Sequence, residues 1–175
     1  IRPDCNTIVW NTLLELLLRH DLDESQEESV HLEKVMELLR NPQARYDDDE
    51  ALFLLEREGC REGLLYVCTK LHLNGMLLQQ YFEMGKREEA LALCEKEGKD
   101  ESLWELLLQL YAEESELEKT EIEQVISKIL RNDRVSLLRV IQILSENEKI
   151  DSAMIRQMIL TQLIHEKEIR EKVRM

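Results

Sequence analysis

Residues 50–98 nearly repeat themselves. Moving EGCREGLLYVCTK (58–70) along by 26 positions lays it over MGKREEALALCEK (84–96). Gly59 then falls on Gly85, Arg61 on Arg87, Glu62 on Glu88, Leu65 on Leu91, Cys68 on Cys94 and Lys70 on Lys96. A unit of this length, with a glycine at its waist and an apolar helix on either side, is a helical hairpin. Hairpins in tandem bury a continuous core only by stacking on one another. The repeat therefore predicts an all-α chain, an α-solenoid of stacked antiparallel helical hairpins extending on both sides of 50–98.

The flanking sequence agrees. Ile8, Val9, Trp10, Leu13, Leu14, Leu16, Leu17 and Leu18 cover most of a first helix capped by Asp4 or Asn6, and a helix apolar nearly all round is buried between neighbours. A second helix over 28–40, with Val30, Val35, Met36, Leu38 and Leu39 as its stripe, stops at Asn41-Pro42, because the residue before a proline avoids the α region. The carboxylates of 47–49 open a third helix, where they meet unpaired amides and the positive dipole end. Gly59 closes that helix and a partner follows over about 61–72. Asn74-Gly75 is read as a turn, followed by short helices over about 75–84 and 87–97.

Asp100 caps the apolar helix that holds Trp104 and Tyr111. Thr120-x-x-Glu123 reads as a capping box, or else lies one turn inside a helix starting near Glu116. Leu137, Leu138, Val140, Ile141, Ile143 and Leu144 predict a helix buried on nearly all sides. The count is about ten helices, with residues 1–150 as the repeat array and 151–175 as the start of a long C-terminal helix.

That last segment differs from the others. Ile155, Ile159, Gln162, Glu166, Ile169 and Val173 step by four and three, a heptad-like seam broken at its centre. Ile155, Ile159, Gln162, Ile169 and Val173 are accordingly the candidate partner-binding residues, weighed against an ordinary terminal helix packing on the last hairpin.

Charge narrows the function. The net charge is −14, and neither a phosphate backbone nor an anionic leaflet is the natural partner of such a chain. The acidic stretches at 21–28 and 47–50 read as solvated loops and helix starts. No apolar run is long enough to span a bilayer, and direct membrane insertion is not expected. The chain opens at Ile1 rather than Met and reads as a piece of something larger.

Chemistry-bearing residues are sparse. Cys5, Cys60, Cys68 and Cys94 form no C-x-x-C pair, and Cys68 and Cys94 hold equivalent repeat positions; they read as small core residues, reduced and cytosolic. His20, His31, His72 and His165 lie beside no cysteine signature. There is no H-E-x-x-H, no glycine-rich phosphate loop and no calcium-loop pattern. The expectation is no enzyme, no cofactor and no metal.

Four segments carry a family likeness: IVWNTLLELLL (8–18), ALFLLEREGCREGLLYVCTKLHL (51–73), EEALALCEKEGKDESLWELLLQLYA (88–112) and LLRVIQIL with MIRQMILTQLI (137–164). They resemble the clathrin heavy-chain repeats of vesicle-trafficking scaffolds, and more closely the solenoid of the family of vacuolar protein sorting-associated protein eleven. DESLWELLLQLYA (100–112) is the most specific of them.

The resemblance implies a core subunit of the HOPS and CORVET tethering complexes, which hold endosomes, lysosomes or vacuoles together before SNARE-driven fusion. It implies a non-enzymatic scaffold, cytoplasmic and peripheral on late endosome, lysosome or vacuole membranes. Its partners would be sister subunits, and indirectly Rab GTPases and SNAREs. In the family the long helix before the RING finger contributes to pairing with a sister subunit, which would place a partner surface on 152–175. The alternative is a clathrin- or coatomer-like coat leg. An excised solenoid also bares apolar faces that its neighbours would cover, so a homodimer of the fragment would carry no biological meaning.

Overall fold

A computed structural model describes residues 5–19, 28–98, 100–114, 119–132, 134–146, 150, 153, 155–157, 159–161, 163, 164 and 167. Among these residues the chain is helical throughout, without a strand. The helices are α1 (Cys5–Arg19), α2 (Glu28–Arg40), α3 (Asp48–Arg57), α4 (Arg61–Lys70), α5 (Asn74–Glu83), α6 (Arg87–Glu97), α7 (Glu101–Glu113), α8 (Lys119–Arg131) and α9 (Leu137–Ser145). The described residues between 153 and 167 are helical as well. The chain divides into two compact units, Ile1–Gln80 and Tyr81–Met175.

Local chemistry sets the helix ends. Asp47 is extended, and its carboxylate accepts the Glu50 amide at 3.0 Å, a cap of the kind that stabilises a helix by about 1 kcal/mol. Asp100 accepts the Ser102 amide at 3.1 Å and starts α7. Ser136 does the same for α9 through the Arg139 amide. Gly59 ends α3 at a φ of 71° and Gly85 ends α5 at 69°, conformations that cost glycine little.

The turn after α4 departs from the sequence reading. Asn74 and Gly75 do not turn the chain; they form the first turn of α5. The reversal falls two residues earlier, at His72, with a φ of 55°. The physical reason is the helix-end hydrogen-bond pattern. The Leu73 amide reaches back to the Cys68 carbonyl at 2.9 Å and the His72 amide to the Thr69 carbonyl at 3.3 Å, and closing that pair needs a left-handed residue at 72 whatever its side chain.

Within the first unit the packing follows a stacking rule. α1 touches α2 and α3, and α4 touches α3 and α2. Each helix thus meets its hairpin mate and the corresponding helix of the next hairpin, which is how tandem hairpins form a stack. The core is Leu14 and Leu18 from α1, Val35, Leu38 and Leu39 from α2, Leu54 and Leu55 from α3, and Leu64, Val67 and Cys68 from α4. Each large member contributes about 1.5–3 kcal/mol by leaving water. Gly63 is buried on α4, and a Cβ there would sit 2.6 Å from Leu55 Cδ2 and 3.2 Å from Leu39 Cδ1. A bare α-carbon at this point lets α4 approach both α2 and α3.

The second unit is built on α7, which touches α6, α8 and α9. Leu103, Trp104, Leu107, Leu108, Tyr111 and Ala112 are its buried face. Phe82 meets Tyr111 edge-on with ring centroids 5.0 Å apart. Val125, Ile126, Ile129, Val140, Ile143 and Leu144 complete the core from α8 and α9. Thr120 is helical and follows Lys119 in α8, so it is not the cap; a helix start near Glu116 lies outside the described residues.

Two helices expected to be covered all round are not. α1 leaves Ile8, Val9, Leu13 and Leu16 exposed, and α9 leaves Leu138 77 % exposed. The reason is geometric: among the described residues α1 packs chiefly on α2 and α3, and α9 packs chiefly on α7. Apolar residues outside those contacts face solvent.

Candidate protein-interaction surface

Polar side chains are largely spent on holding helices to one another. Asn11, the buried polar side chain of α1, accepts the Asp47 amide at 2.9 Å through Oδ1 and donates through Nδ2 to the Glu50 carboxylate. One side chain thereby satisfies the cap residue of α3 and a carboxylate of its first turn. The Tyr46 hydroxyl donates to the Leu39 carbonyl at 3.0 Å, and Lys70 sits over the Tyr46 ring and pairs with Asp48 at 2.7 Å. These contacts tie the end of α2 and the end of α4 to the start of α3.

The second unit uses ion pairs between helices. Arg139 grips Glu105 with two parallel bonds of 2.9 and 2.8 Å, which join α9 to α7. Arg139 beside Glu105 lowers that carboxyl's pKa. Arg87 pairs with Glu121 at 2.9 Å and Lys128 pairs with Glu95, so α6 and α8 are linked at two places. Arg134 donates to the Gly98 carbonyl, where a cation suits a helix C-terminus.

The buried thiols are not prepared for chemistry. Burial pushes Cys94 up to about 12 and raises Cys68 too, so both stay protonated and unreactive. Cys94 instead directs its thiol to the Leu103 carbonyl at 3.8 Å. Among the described residues no group of three or more His, Cys, Asp and Glu is placed to hold a metal ion. No described helix is long and apolar enough to cross a membrane. Two open grooves occur among the described residues, one of about 620 Å³ beside Met36, Arg40 and Glu62 and one of about 930 Å³ beside Arg87, Leu91 and Lys128.

The predicted partner residues fall in two groups. Ile155 and Ile159 are helical and half-buried. Gln162, Ile169 and Val173 lie outside the described residues. Among the described residues of this stretch, the large apolar side chains left exposed are Leu160, Leu163 and Ile164, at a spacing of three and one. They share a helix face, and the heptad seam passes beside it. Their apolar character was visible in the sequence; which stripe would be covered was not. Phe53 on α3 is 60 % exposed as well, with the Arg57 guanidinium 5.7 Å above its ring.

Comparison with known proteins fits this architecture. The family model described as PEP5/VPS11 Clathrin repeat matches residues 1–144. The Vacuolar protein sorting-associated protein 11 homolog of Dictyostelium discoideum is 32 % identical over 163 residues, covering 92 % of this chain and 17 % of that protein. The Vacuolar protein-sorting-associated protein 11 homolog of Arabidopsis thaliana is 28 % identical over 162 residues, covering 90 % of this chain and 17 % of that protein. The chain thus spans about a sixth of the length of these relatives. No solved structure matches.

Proposed function

The chain belongs to the PEP5/VPS11 clathrin-repeat family, and from that premise we propose that it is a non-enzymatic scaffold segment of a multisubunit membrane-tethering complex. The observation that carries this reading is the stacking of hairpin on hairpin in the first unit, α1 on α3 and α2 on α4. A stack of this kind is long and stiff for its mass, and it offers its outer helix faces to other proteins. Its polar side chains cap and cross-link helices, and the buried thiols of Cys68 and Cys94 are held protonated. That pattern favours a mechanical part over a reactive one.

In this reading the complex is of the HOPS or CORVET type and acts where endosomes, lysosomes or vacuoles fuse. The segment sits on the cytoplasmic side as a peripheral component. It spaces the ends of its subunit and binds sister subunits, and through them it works with Rab GTPases and SNAREs. Residues 1–150 form the repeat array. Residues 151–175 begin a longer helix whose Ile155, Ile159, Gln162, Ile169 and Val173 face a sister subunit.

The test is co-purification of the longer polypeptide with candidate sister subunits, with and without residues 152–175. Association that weakens at least tenfold on deletion supports both the role and its placement. Unchanged association in an Ile155→Asp/Ile159→Asp variant removes the placement. A full polypeptide that retains no sister tethering subunit removes the role.

A further inference from the structure

Helices α2 and α4 border the open groove of about 620 Å³ on the first unit. Its apolar lining is Leu32, Met36 and Pro42. Leu32 and Met36 stand one turn apart on α2, the first half-buried and the second buried. Three carboxylates border them: Glu33 and Glu37, one turn apart on α2, and Glu62 in the first turn of α4. All three residues are exposed.

The fold makes little use of these carboxylates. Among the described residues none of the three is in an ion pair, whereas elsewhere in the unit Glu15 meets Arg19 and Arg57, and Asp48 meets Lys70. Glu62 suits the start of α4. Glu33 and Glu37 have no such reason, and like charges four residues apart weaken a helix. Arg40 is three residues on from Glu37, near enough along the helix to pair with it. Its guanidinium lies instead 5.9 Å over the Tyr66 ring.

Shape and charge together select the occupant. Among the described residues no group of three or more acidic, His or Cys side chains is placed to hold a metal ion, so a bare cation is not the match. An open groove leaves a small molecule largely in water. Carboxylates repel phosphate backbones and anionic leaflets. Apolar side chains seated on Leu32 and Met36, with cationic heads beside the carboxylates, satisfy both features at once. A basic amphipathic helix laid in a groove has that form, and a methionine floor adapts to its side chains.

We propose that the α2–α4 groove docks a basic amphipathic helical segment of a partner protein. Its apolar side chains rest on Leu32, Met36 and Pro42, and its Lys or Arg heads pair with Glu33, Glu37 and Glu62. The inference rests on the groove and not on the role in tethering, so either can fail alone.

The test uses the full-length polypeptide and a fluorescent peptide of Leu and Lys ordered as an amphipathic helix, with binding read by anisotropy. An isomer of the same composition, with its Leu residues spread round the helix, reports plain charge attraction. The expected result is binding that Glu33→Gln/Glu37→Gln/Glu62→Gln weakens about tenfold, since three partly exposed pairs contribute a few-fold each. The control Glu56→Gln/Glu88→Gln/Glu89→Gln, which neutralises exposed carboxylates away from the groove, should change it less than about twofold. Hydrogen exchange should slow in α2 and α4 when the peptide is bound. Equal weakening by the two triple variants overturns the proposal, because the attraction is then general to an acidic chain. Equal binding of the two isomers overturns it as well, because the apolar floor then takes no part, and so does an amphipathic peptide that does not bind.

Discussion

Gly59 and His72 stand thirteen residues apart and hold the same left-handed conformation, with φ of 71° and 55°. Gly85 follows after another thirteen, at 69°. The amides behind them repeat the same closing bonds, Cys60 to the Leu55 carbonyl, Leu73 to Cys68 and Lys86 to Tyr81, at 2.9, 2.9 and 2.8 Å. The buried residues Ala51, Leu64, Leu77 and Ala90 keep the same spacing. The underlying unit is therefore a single helix with its turn, and the 26-residue repeat visible in the sequence is two of them.

His72 occupies a place that Gly59 and Gly85 fill without strain, so His72→Gly is expected to stabilise the protein by about 0.5–1 kcal/mol. Relief of the left-handed cost, about 1–2 kcal/mol, exceeds the added freedom of the unfolded chain. Gly59→Ala and Gly85→Ala should destabilise by about 1 kcal/mol, and since a Cβ at either meets nothing within 4 Å, that cost is purely conformational. Urea midpoints of the three variants decide it; a lower midpoint for His72→Gly would overturn the equivalence.

Gly63→Ala separates helix propensity from packing. Propensity alone favours alanine by about 1 kcal/mol. The added methyl, however, would lie 2.6 Å from Leu55 Cδ2, so the completely buried Leu55 side chain must shift within a packed core to admit it. The expected result is a loss of about 1–3 kcal/mol, the usual cost of overpacking. A stabilised Gly63→Ala, read by thermal unfolding, would show that α4 does not approach α2 and α3 so closely.

Asn11→Ala removes the acceptor of the Asp47 amide and the donor to Glu50 together. At a site only 5 % exposed this should cost about 1–3 kcal/mol. Asn11→Asp keeps the acceptor but places a carboxylate against Glu50. It should be the less stable of the two near pH 7 and recover as acid neutralises the pair. Equal stability of wild type and Asn11→Ala in urea would show that the bridge contributes nothing.

Features within one turn of their cause were legible in the sequence. Asp47, Asp100, Gly59 and Pro42 mark helix ends because caps and breakers act on adjacent backbone. What could not be read depends on distant neighbours. Asn11 finds its partners 36 and 39 positions away. Gly63 shows its purpose only when Leu39 and Leu55 are in place beside it. His72 carries no local signal for a left-handed turn, and Asn74-Gly75 carries a strong one in the wrong place. At the surface, an apolar periodicity says that Ile155, Ile159, Leu160 and Leu163 want cover without saying which of them the chain supplies. The first two are half-buried and the last two exposed.

The buried thiols give a prediction that needs no substitution. Burial holds Cys94 at about 12 and raises Cys68, so at pH 8 neither forms appreciable thiolate while the protein is folded. Both should resist maleimide and react only on unfolding, over the same urea range as the loss of helical signal. Cys60 is half-exposed and serves as the internal control. Labelling of Cys94 well below the unfolding transition would mean that α6 opens on its own, and the second unit would then not unfold as one body.

Glu105 and Arg139 provide a test by pH. The guanidinium, through its paired bonds, lowers the carboxyl's folded pKa below its ordinary value. The contribution of this pair to stability is therefore present above the unfolded carboxyl value, about pH 4.3, and is lost as pH falls through the lower folded value. In a carboxyl-resolved NMR titration Glu105 should titrate below that range, and Arg139→Gln should return it. Because the pair is partly exposed, added salt should move the midpoint toward the ordinary value as well. A Glu105 midpoint that Arg139→Gln leaves unchanged would remove the ion pair from the α7–α9 contact and leave Val140, Ile143 and Leu144 to hold α9 in place alone.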